Sequence, residues 1–264
     1  MKLAVILHGN VGQMIPTGTK HRAIRTNRSY NTYEGALTCL QEGCDSFKKI
    51  ETQGFEVDYF IHSWSKKLEK EIVELYNPVD YLIEEQVQFK RPEVMPPYRP
   101  WMGSSTRYHT TKSRFVSLLK ALEVFEKNTG PDGYKEYDYV FISRFDVIFK
   151  RFLKPEIMLP YSYISFWKEL QKESGKYRDF RSDIKIHDFW LAILPKDIGE
   201  FYSSLKCNLD DYLNLSHGGM PSAHYVLKAL FDDMNLPLRH MLTYYHCEPD
   251  KSDFNMVRDV VKLS

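Results

Sequence analysis

Short, continuous apolar runs alternate with amphipathic segments through the first 150 residues, and this alternation strongly constrains the fold. Residues 3–7 form such a run and end in a glycine-containing loop, which is typical of a buried parallel strand. Parallel strands need crossover connections, which the amphipathic segments supply as helices. The sequence therefore predicts an α/β fold with a Rossmann-type, mostly parallel sheet flanked by helices. The predicted strands are residues 3–7, 55–61, 79–83 and 137–142, and the predicted helices are residues 36–52, 66–76 and 113–126.

The pattern is less regular after residue 150 and predicts a mixed α/β second half. Strands are expected at residues 161–166, 189–194 and 237–245, and helices at residues 196–206 and 221–233. No internal repeat or linker divides the chain, and 264 residues can bury one large core. We therefore expect a single domain over residues 1–264.

Charge and composition exclude several classes of partner. Lysine and arginine number 36 against 35 aspartate and glutamate residues, so no overall field attracts nucleic acid or an anionic membrane. The four cysteines lack the spacing of a zinc site and the density of a disulfide framework. The N-terminal apolar run is too short for a signal peptide, and no stretch approaches the roughly 20 apolar residues of a membrane span. We expect a soluble, cytoplasmic protein.

Polar residues directly follow three of the predicted strands. Open α/β sheets bind ligands beyond the carboxyl ends of their strands, so these residues are the first candidates for a site. If the strands are predicted correctly, all three sets face one crevice. The sets are His8, Gly9 and Asn10 after the first strand, His62, Ser63 and Trp64 after the second, and Ser143, Arg144, Phe145 and Asp146 after the strand at residues 137–142.

Asp146 lies between two apolar segments, which is a costly position for a carboxylate. Such a charge needs either an ion pair, for which Arg144 and Arg151 are the nearest cations, or a divalent cation. Mg²⁺ and Mn²⁺ commonly bind through one carboxylate together with substrate phosphates. The residues alone leave both interpretations open.

Two short phrases resemble the GT-A-type glycosyltransferases, within a group that carries F-I-H-x-W after one strand and R-x-D after a later one. This chain has Phe60-Ile61-His62-Ser63-Trp64 and Arg144-Phe145-Asp146 in that order. A helix near residues 113–126 and an acidic-aromatic strand entry at residues 136–139 lie between them, as in that group. The resemblance covers about the first 190 residues. It implies a GT-A-like fold and sugar transfer from a nucleotide-diphosphate sugar linked to UDP, GDP or TDP.

The resemblance also implies roles for individual residues. Asp146 would match the final acid of the D-x-D motif, which binds Mn²⁺ or Mg²⁺ on the donor diphosphate, and His246 would match a C-terminal histidine ligand of that metal. Arg144 replaces the first acid and could instead offset the diphosphate charge by bidentate hydrogen bonding. Residues 1–150 would form the nucleotide-sugar-binding half and residues 151–264 the acceptor side. The nucleotide would be held by His8, Gly9, Asn10, His62 and Trp64.

Further candidates follow from local sequence. Arg22 and Arg25 lie in a basic run that could contact phosphate, although a solvated surface is the simpler interpretation. Asp188 is the candidate general base for an inverting transfer to an acceptor hydroxyl. A glycine turn before a helix is a natural place for acceptor hydroxyls or a phosphate. The candidate acceptor-side residues are Trp190, His217, Gly218, Gly219 and His224.

Two other functions fit parts of the sequence. A non-catalytic nucleotide- or carbohydrate-binding module would keep the fold without a complete metal motif, as Arg144 allows. A metal-dependent phosphoester hydrolase should show clustered carboxylates for two metals, and the chain offers only Asp146 and Asp188. We therefore expect a nucleotide-sugar donor and a glycan or other glycoconjugate acceptor as partners, with no nucleic acid and no integral membrane segment.

Overall fold

The computed structural model describes residues 1–11, 33–92, 104–149, 162–168, 170–173, 176–179, 190–214, 222–236, 238–245 and 254–256. Five α-helices lie within these ranges: α1 (Tyr33–Glu51), α2 (Glu69–Tyr76), α3 (Ser104–Gly133), α4 (Pro195–Asn214) and α5 (Ala223–Met234). Short 3₁₀ helices cover Lys66–Leu68 and Tyr134–Glu136. None of the described helices combines the length and apolar character that a membrane crossing requires.

Within the same ranges, one sheet has seven strands: β1 (Lys2–Gly9), β2 (Glu56–Ser63), β3 (Asp80–Ile83), β4 (Tyr139–Arg144), β6 (Ser162–Lys168), β9 (Trp190–Ile193) and β10 (Leu238–Tyr245). Their order across the sheet is β10-β6-β9-β4-β1-β2-β3. Strand β1 pairs in parallel with β2 and β4, β2 with β3, and β10 with β6, whereas β9 is antiparallel to both its neighbours.

Four shorter strands form two antiparallel pairs beside this sheet. Strand β5 (Val147–Phe149) pairs with β11 (Phe254–Met256), and β7 (Leu170–Glu173) pairs with β8 (Lys176–Asp179). Strand β5 begins directly after Asp146, so the chain leaves the central sheet at the candidate site.

The sheet is buried on both faces, as a parallel sheet requires. Leu3, Val5 and Leu7 of β1 pack toward α1 and α2, while the alternate residues Ala4 and Ile6 pack toward α3, α4 and α5. This alternation has the period of two expected for a strand. It places His8, two residues after Ile6, on the α3 face of the sheet.

The structure confirms the predicted α/β class, the mostly parallel sheet and the mixed second half. Helix α3 begins at Ser104, whereas the apolar pattern predicted its start at residue 113. Residues 104–112 contain five Ser and Thr residues and no regular apolar stripe, so the first turns carry no amphipathic signal. The helical path is interrupted at Gly130, whose φ of 65° and ψ of 170° are non-helical. The β7–β8 and β5–β11 pairs were not predicted.

Candidate functional site

Three of the candidate residues lie side by side at the carboxyl edge of the sheet. His8 on β1 is in register with His62 on β2 and with Arg144 on β4. Strand β9 adds Trp190, which pairs with Ser143. The structure thus brings the polar ends of β1, β2 and β4 together, as expected from the sequence.

Asp146 lies in the turn between β4 and β5 and is 7% exposed. Its Oδ2 accepts a hydrogen bond from the Arg144 guanidinium at 2.5 Å. The side chains of Arg144 and Asp146 are 17% and 10% exposed, so this ion pair is largely shielded from water. Asp146 Oδ1 is also buried and has no hydrogen-bond partner among the described residues. Arg144 therefore satisfies one carboxylate oxygen and leaves the other as a buried acceptor.

The unpaired Oδ1 suits a hard divalent cation, because such cations prefer carboxylate oxygens. In the described ranges, no group of three or more His, Cys, Asp and Glu side chains is placed to hold a metal. The described residues thus offer one carboxylate oxygen to a cation, and substrate phosphates and water would have to supply the other ligands.

Helix α1 fixes the turn that carries Asp146. A Cβ atom added at Gly43 would lie 2.7 Å from the Phe145 carbonyl oxygen and 3.0 Å from Tyr76 Oη, so only glycine allows this approach. Cys39 donates a weak Sγ–H bond to the same carbonyl at 3.8 Å, and the Phe149 N–H donates to Ser46 Oγ at 2.6 Å. The backbone on either side of Asp146 is therefore held by one buried helix face.

We expect Gly43→Ala to lower the free energy of unfolding by up to about 2 kcal/mol. Overpacking costs roughly 1–3 kcal/mol, and the gain of about 1 kcal/mol in helix propensity offsets part of it. Gly199→Ala is the matched control, because a Cβ there would meet only the Tyr134 ring at 3.7 Å. Urea unfolding should show Gly43→Ala destabilised and Gly199→Ala unchanged or stabilised. Equal stability of the two variants would contradict the close approach.

The loop after β1 is fixed by hydrogen bonds to both groups of the Gly9 peptide. The Gly9 N–H donates to Ser117 Oγ at 2.8 Å, and the Gly9 carbonyl accepts from Ser63 Oγ at 2.9 Å and from the Trp64 N–H at 3.3 Å. Gly9 has φ of 107°, a left-handed value that favours glycine. Asn10 follows as an exposed residue, and its Nδ2 donates to Gln86 Oε1 at 3.3 Å. The hydrogen bonds of the Gly9 peptide and its positive φ therefore fix the backbone conformation at Asn10.

His62 is fully buried and connects this loop to β3. Its Nδ1 lies 2.6 Å from Ser117 Oγ and its Nε2 lies 3.4 Å from Glu84 Oε1. Burial lowers the pKa of His62 to about 4, against the opposing effect of Glu84, so the ring is neutral at pH 7. Since the carboxylate can only accept, Nε2 carries the hydrogen and Nδ1 accepts from the Ser117 hydroxyl. The Ser117 oxygen then remains free to accept the Gly9 N–H.

These three side chains resemble a Ser-His-Glu hydrolytic triad in composition, yet their burial excludes that chemistry. Ser117 and His62 are both 0% exposed, so no substrate carbonyl can reach the hydroxyl. Glu84 also pairs with Lys120, which further neutralises the carboxylate. The contacts among Glu84, His62 and Ser117 instead support the loop that follows β1.

Trp64 belongs to the same support. It is 4% exposed, its Nε1–H donates to the Ser113 carbonyl at 3.1 Å, and its ring packs edge-on against His62 with centroids 4.6 Å apart. Lys120 Nζ lies over the indole ring, 5.2 Å from its centroid. The His62 and Trp64 rings of the F-I-H-x-W segment therefore pack against other protein groups beneath the ends of the strands.

His8 is 5% exposed and lies in a crevice between the sheet and helices α3 and α5. Burial, together with the charges of Arg114 and Arg144 and the neighbouring His62, lowers its pKa to about 3, against the opposing effect of a backbone hydrogen bond at Arg114. Its Nδ1 is buried without a hydrogen-bond partner in the described ranges. His8 is thus a neutral imidazole held beside two cations.

The remaining candidates are more scattered. Trp190 is 1% exposed and stacks on Phe141 with ring centroids 5.3 Å apart, so its ring lies in the core. His224 is partly buried in the first turn of α5. The other predicted site residues lie outside the described ranges: Arg22, Arg25, Asp188, His217, Gly218, Gly219 and His246.

Sequence reasoning missed the contribution of α3. Arg114, Ser117 and Lys120 recur every three residues along this helix and reach the ends of β1 and β2. The available signal was the interruption of an apolar stripe by serine, since Ser117 follows Phe115 and precedes Leu118 on the buried face. Glu84, which follows β3, was the corresponding signal at the sheet edge.

Comparisons with known proteins find structural likeness without a sequence relative. The chain matches no protein-family model and no curated protein sequence. Among solved structures it is similar to a nucleoside-diphosphate-sugar pyrophosphorylase from Vibrio cholerae RC9, with 9% identity, 97% of this chain and 95% of that chain covered, and a TM-score of 0.47.

Two further similar structures come from other bacteria. The inositol-1-phosphate CTP transferase from T. maritima shows 13% identity over 93% of this chain and 86% of that chain, with a TM-score of 0.42. The apo-form glycosyltransferase GlyE from Streptococcus pneumoniae TIGR4 shows 12% identity over 90% of this chain and 45% of that chain, with a TM-score of 0.37. At these identities and TM-scores the likeness assigns no activity to this chain.

Proposed function

We propose that the chain is a glycosyltransferase that moves a sugar from a nucleotide-diphosphate sugar to a hydroxyl of a glycan or other glycoconjugate acceptor. The observation that carries the proposal is the buried, unpartnered Oδ1 of Asp146, which lies at the carboxyl end of β4 beside the aligned ends of β1 and β2. This is the edge at which an open α/β sheet binds ligands.

In this proposal the donor diphosphate lies against the turn after β4. Arg144 hydrogen-bonds phosphate oxygens in the bidentate geometry that a guanidinium provides, while it keeps its contact with Asp146. Asp146 Oδ1 would hold Mn²⁺ or Mg²⁺. A bound cation would supply positive charge to the diphosphate leaving group. Because Arg144 contacts Asp146 directly, both side chains lie on one phosphate-binding surface.

The loop after β1 binds the nucleotide part of the donor. Because Ser117, Ser63 and the Trp64 N–H fix the Gly9 peptide, the loop needs little ordering when the ligand binds. His62 and Trp64 support this loop from below. Arg22 and Arg25 remain sequence-based candidates for additional phosphate contacts.

The transfer itself exchanges one bond at the anomeric carbon for another. The bond to the diphosphate oxygen breaks, the acceptor oxygen bonds to the sugar, and the acceptor proton moves to a carboxylate, for which Asp188 is the candidate. The acceptor would lie on the side of residues 151–264, near His217, Gly218, Gly219 and His224. Residues 1–150 would hold the donor.

A second candidate function is favoured by the Arg144–Asp146 ion pair. Because Arg144 already offsets the Asp146 charge, the fold could hold a nucleotide or a carbohydrate without a cation and without transfer. Such a protein would be a non-catalytic binding module.

A donor panel distinguishes these possibilities. We expect UDP-, GDP- or TDP-linked sugars to raise the melting temperature of the purified chain, with a larger shift in Mn²⁺ than in EDTA, because a ligand that binds the native state stabilises it. Release of the matching nucleoside diphosphate in the presence of an acceptor measures turnover. Stabilisation without turnover would favour the binding module, and no shift with any donor would reject both the glycosyltransferase and a nucleotide-binding module.

A further inference from the structure

Two side-chain amides lie next to each other at the carboxyl edge of the sheet. Asn10 follows β1 and Gln86 lies shortly after β3, and Asn10 Nδ2 donates to Gln86 Oε1 at 3.3 Å. Gln86 Nε2 in turn donates to the hydroxyl of Ser113 on α3 at 2.7 Å. Ser113 is 3% exposed, Gln86 is partly buried and Asn10 is exposed. These three side chains therefore form a chain of hydrogen bonds that runs from the buried face of a helix to the surface.

The backbone that carries both amides is fixed by the residues after β2. The Val11 N–H donates to Ser65 Oγ at 2.9 Å, and Ser65 forms an isolated antiparallel bridge with Glu85. Val11 directly follows Asn10 in the chain, and Glu85 directly precedes Gln86. One residue, Ser65, thus ties the two amide-bearing segments together, so little ordering is needed when a ligand binds between them and the solvent.

The hydrogen bonds also fix which way the Asn10 amide points. Gln86 Oε1 can only accept, so it holds Asn10 Nδ2 on its own side and turns Asn10 Oδ1 the other way. Within the described ranges, Asn10 Oδ1 and the second hydrogen of Nδ2 have no hydrogen-bond partner. Asn10 therefore presents one acceptor and one donor in a fixed order at the edge where an open α/β sheet binds ligands.

A nucleobase is the part of a nucleotide sugar that matches an ordered acceptor and donor. Uracil and thymine carry a ring N–H beside a carbonyl oxygen, and guanine carries the same pair. Cytosine and adenine carry the reverse, a bare ring nitrogen beside an amino group, at the equivalent positions. When the ribose and the diphosphate are held in place, one orientation of an amide pairs with the first edge and the opposite orientation pairs with the second.

We propose that Asn10 hydrogen-bonds the edge of the donor nucleobase and that Gln86, by orienting the Asn10 amide, selects bases with a ring N–H beside a carbonyl. The inference rests on the proposed function and deepens it, because UDP, GDP and TDP share this edge whereas CDP and ADP lack it. Asn10 is the binding residue, and Gln86 is a positioning residue that acts through it. A base with the reverse edge must turn the amide and break its bond to Gln86, which weakens binding about two- to tenfold.

The ratio of affinities for two nucleoside diphosphates tests this orientation, because charge effects common to both cancel. Isothermal titration in Mn²⁺ would compare UDP with CDP and GDP with ADP. We expect the wild type to prefer UDP or GDP over its counterpart. Gln86→Lys replaces the acceptor by a donor, so the Asn10 amide should turn over and the ratio should fall about tenfold or more. Gln86→Glu keeps an acceptor at this position and should keep the ratio.

Two further variants serve as controls. Gln88→Lys adds the same charge at an exposed position two residues along the same segment, and it should leave the ratio unchanged. In an Asn10→Ala background, Gln86→Lys should no longer change the ratio, because a positioning residue has no effect once the residue it positions is removed. Melting temperatures verify that each variant is folded.

The outcomes are distinct. If the wild type binds none of the nucleoside diphosphates, the proposed function fails and the inference falls with it. If they bind but UDP and GDP bind no more tightly than CDP and ADP, only the inference is wrong. The same holds if Gln86→Lys keeps the wild-type ratio, or if it changes the ratio equally with and without Asn10.

Discussion

Asp146→Asn should reduce sugar transfer by about a hundredfold or more while the protein stays folded. The substitution keeps the size of the side chain but removes the negative charge that would hold a cation and orient Arg144. Loss of one preorganised electrostatic contact in an active site commonly reduces kcat by about 10²–10³. The measurement is the rate of nucleoside diphosphate release with the donor identified by the panel, at saturating donor and acceptor.

The matched control for this substitution is Asp58→Asn. Asp58 also pairs with a cation, Lys2 at 3.1 Å, and accepts the Tyr137 hydroxyl at 2.9 Å, but it lies toward the opposite end of β2. Asp58→Asn should be similarly folded and nearly fully active. A fully active Asp146→Asn variant would remove Asp146 from the site.

The two roles proposed for Asp146 can be separated by titration with Mn²⁺. If Oδ1 holds the cation, Asp146→Asn should need a higher Mn²⁺ concentration for half-maximal stabilisation by the donor. If Asp146 only orients Arg144, the Mn²⁺ dependence should be unchanged and Arg144→Lys should reproduce most of the loss, because lysine lacks the bidentate geometry.

The fold was largely predictable because hydrophobic periodicity reports which faces are buried. The apolar run at residues 3–7 and its counterparts correctly predicted the parallel strands and their order of appearance along the chain. The start of α3 was not predictable in this way, because Tyr108 and Thr111 are buried in turns that show no regular stripe. The β5–β11 pair joins distant parts of the chain, and local patterns carry no information about such partners.

The candidate site was predictable where it depends on strand ends, since parallel strands end at one edge of the sheet. The pairing of Asp146 with Arg144 was one of the two alternatives that its apolar surroundings required, and the structure contains that ion pair. The roles of Arg114 and Ser117 depend on how α3 packs across the sheet. That packing is tertiary, so the sequence did not reveal which groups these two side chains contact.

The stability of the fold should fall steeply as the pH decreases from about 6.5 to 4. His8 and His62 have pKa values of about 3 and 4 in the folded protein, because burial disfavours their charged forms. An unfolded histidine has a pKa of about 6.5, so the unfolded chain takes up protons in this range while the folded chain does not. Stability from these rings is therefore complete above pH 6.5 and is lost as the pH falls toward the folded pKa values.

As the pH falls through this range, each imidazole lowers the free energy of unfolding by about 1.4 kcal/mol per pH unit, which amounts to roughly 3 kcal/mol by pH 4. Two such losses approach the total stability of about 5–15 kcal/mol of a typical domain, so acid unfolding near pH 4–5 is expected. Urea unfolding followed by tryptophan fluorescence from pH 7 to pH 4 measures the slope. His62→Asn should reduce the slope by up to about 1.4 kcal/mol per pH unit, whereas His109→Asn should change it less, because His109 is only partly buried. A free energy of unfolding that stays constant between pH 7 and pH 5 would show that the two rings are not buried in their neutral forms.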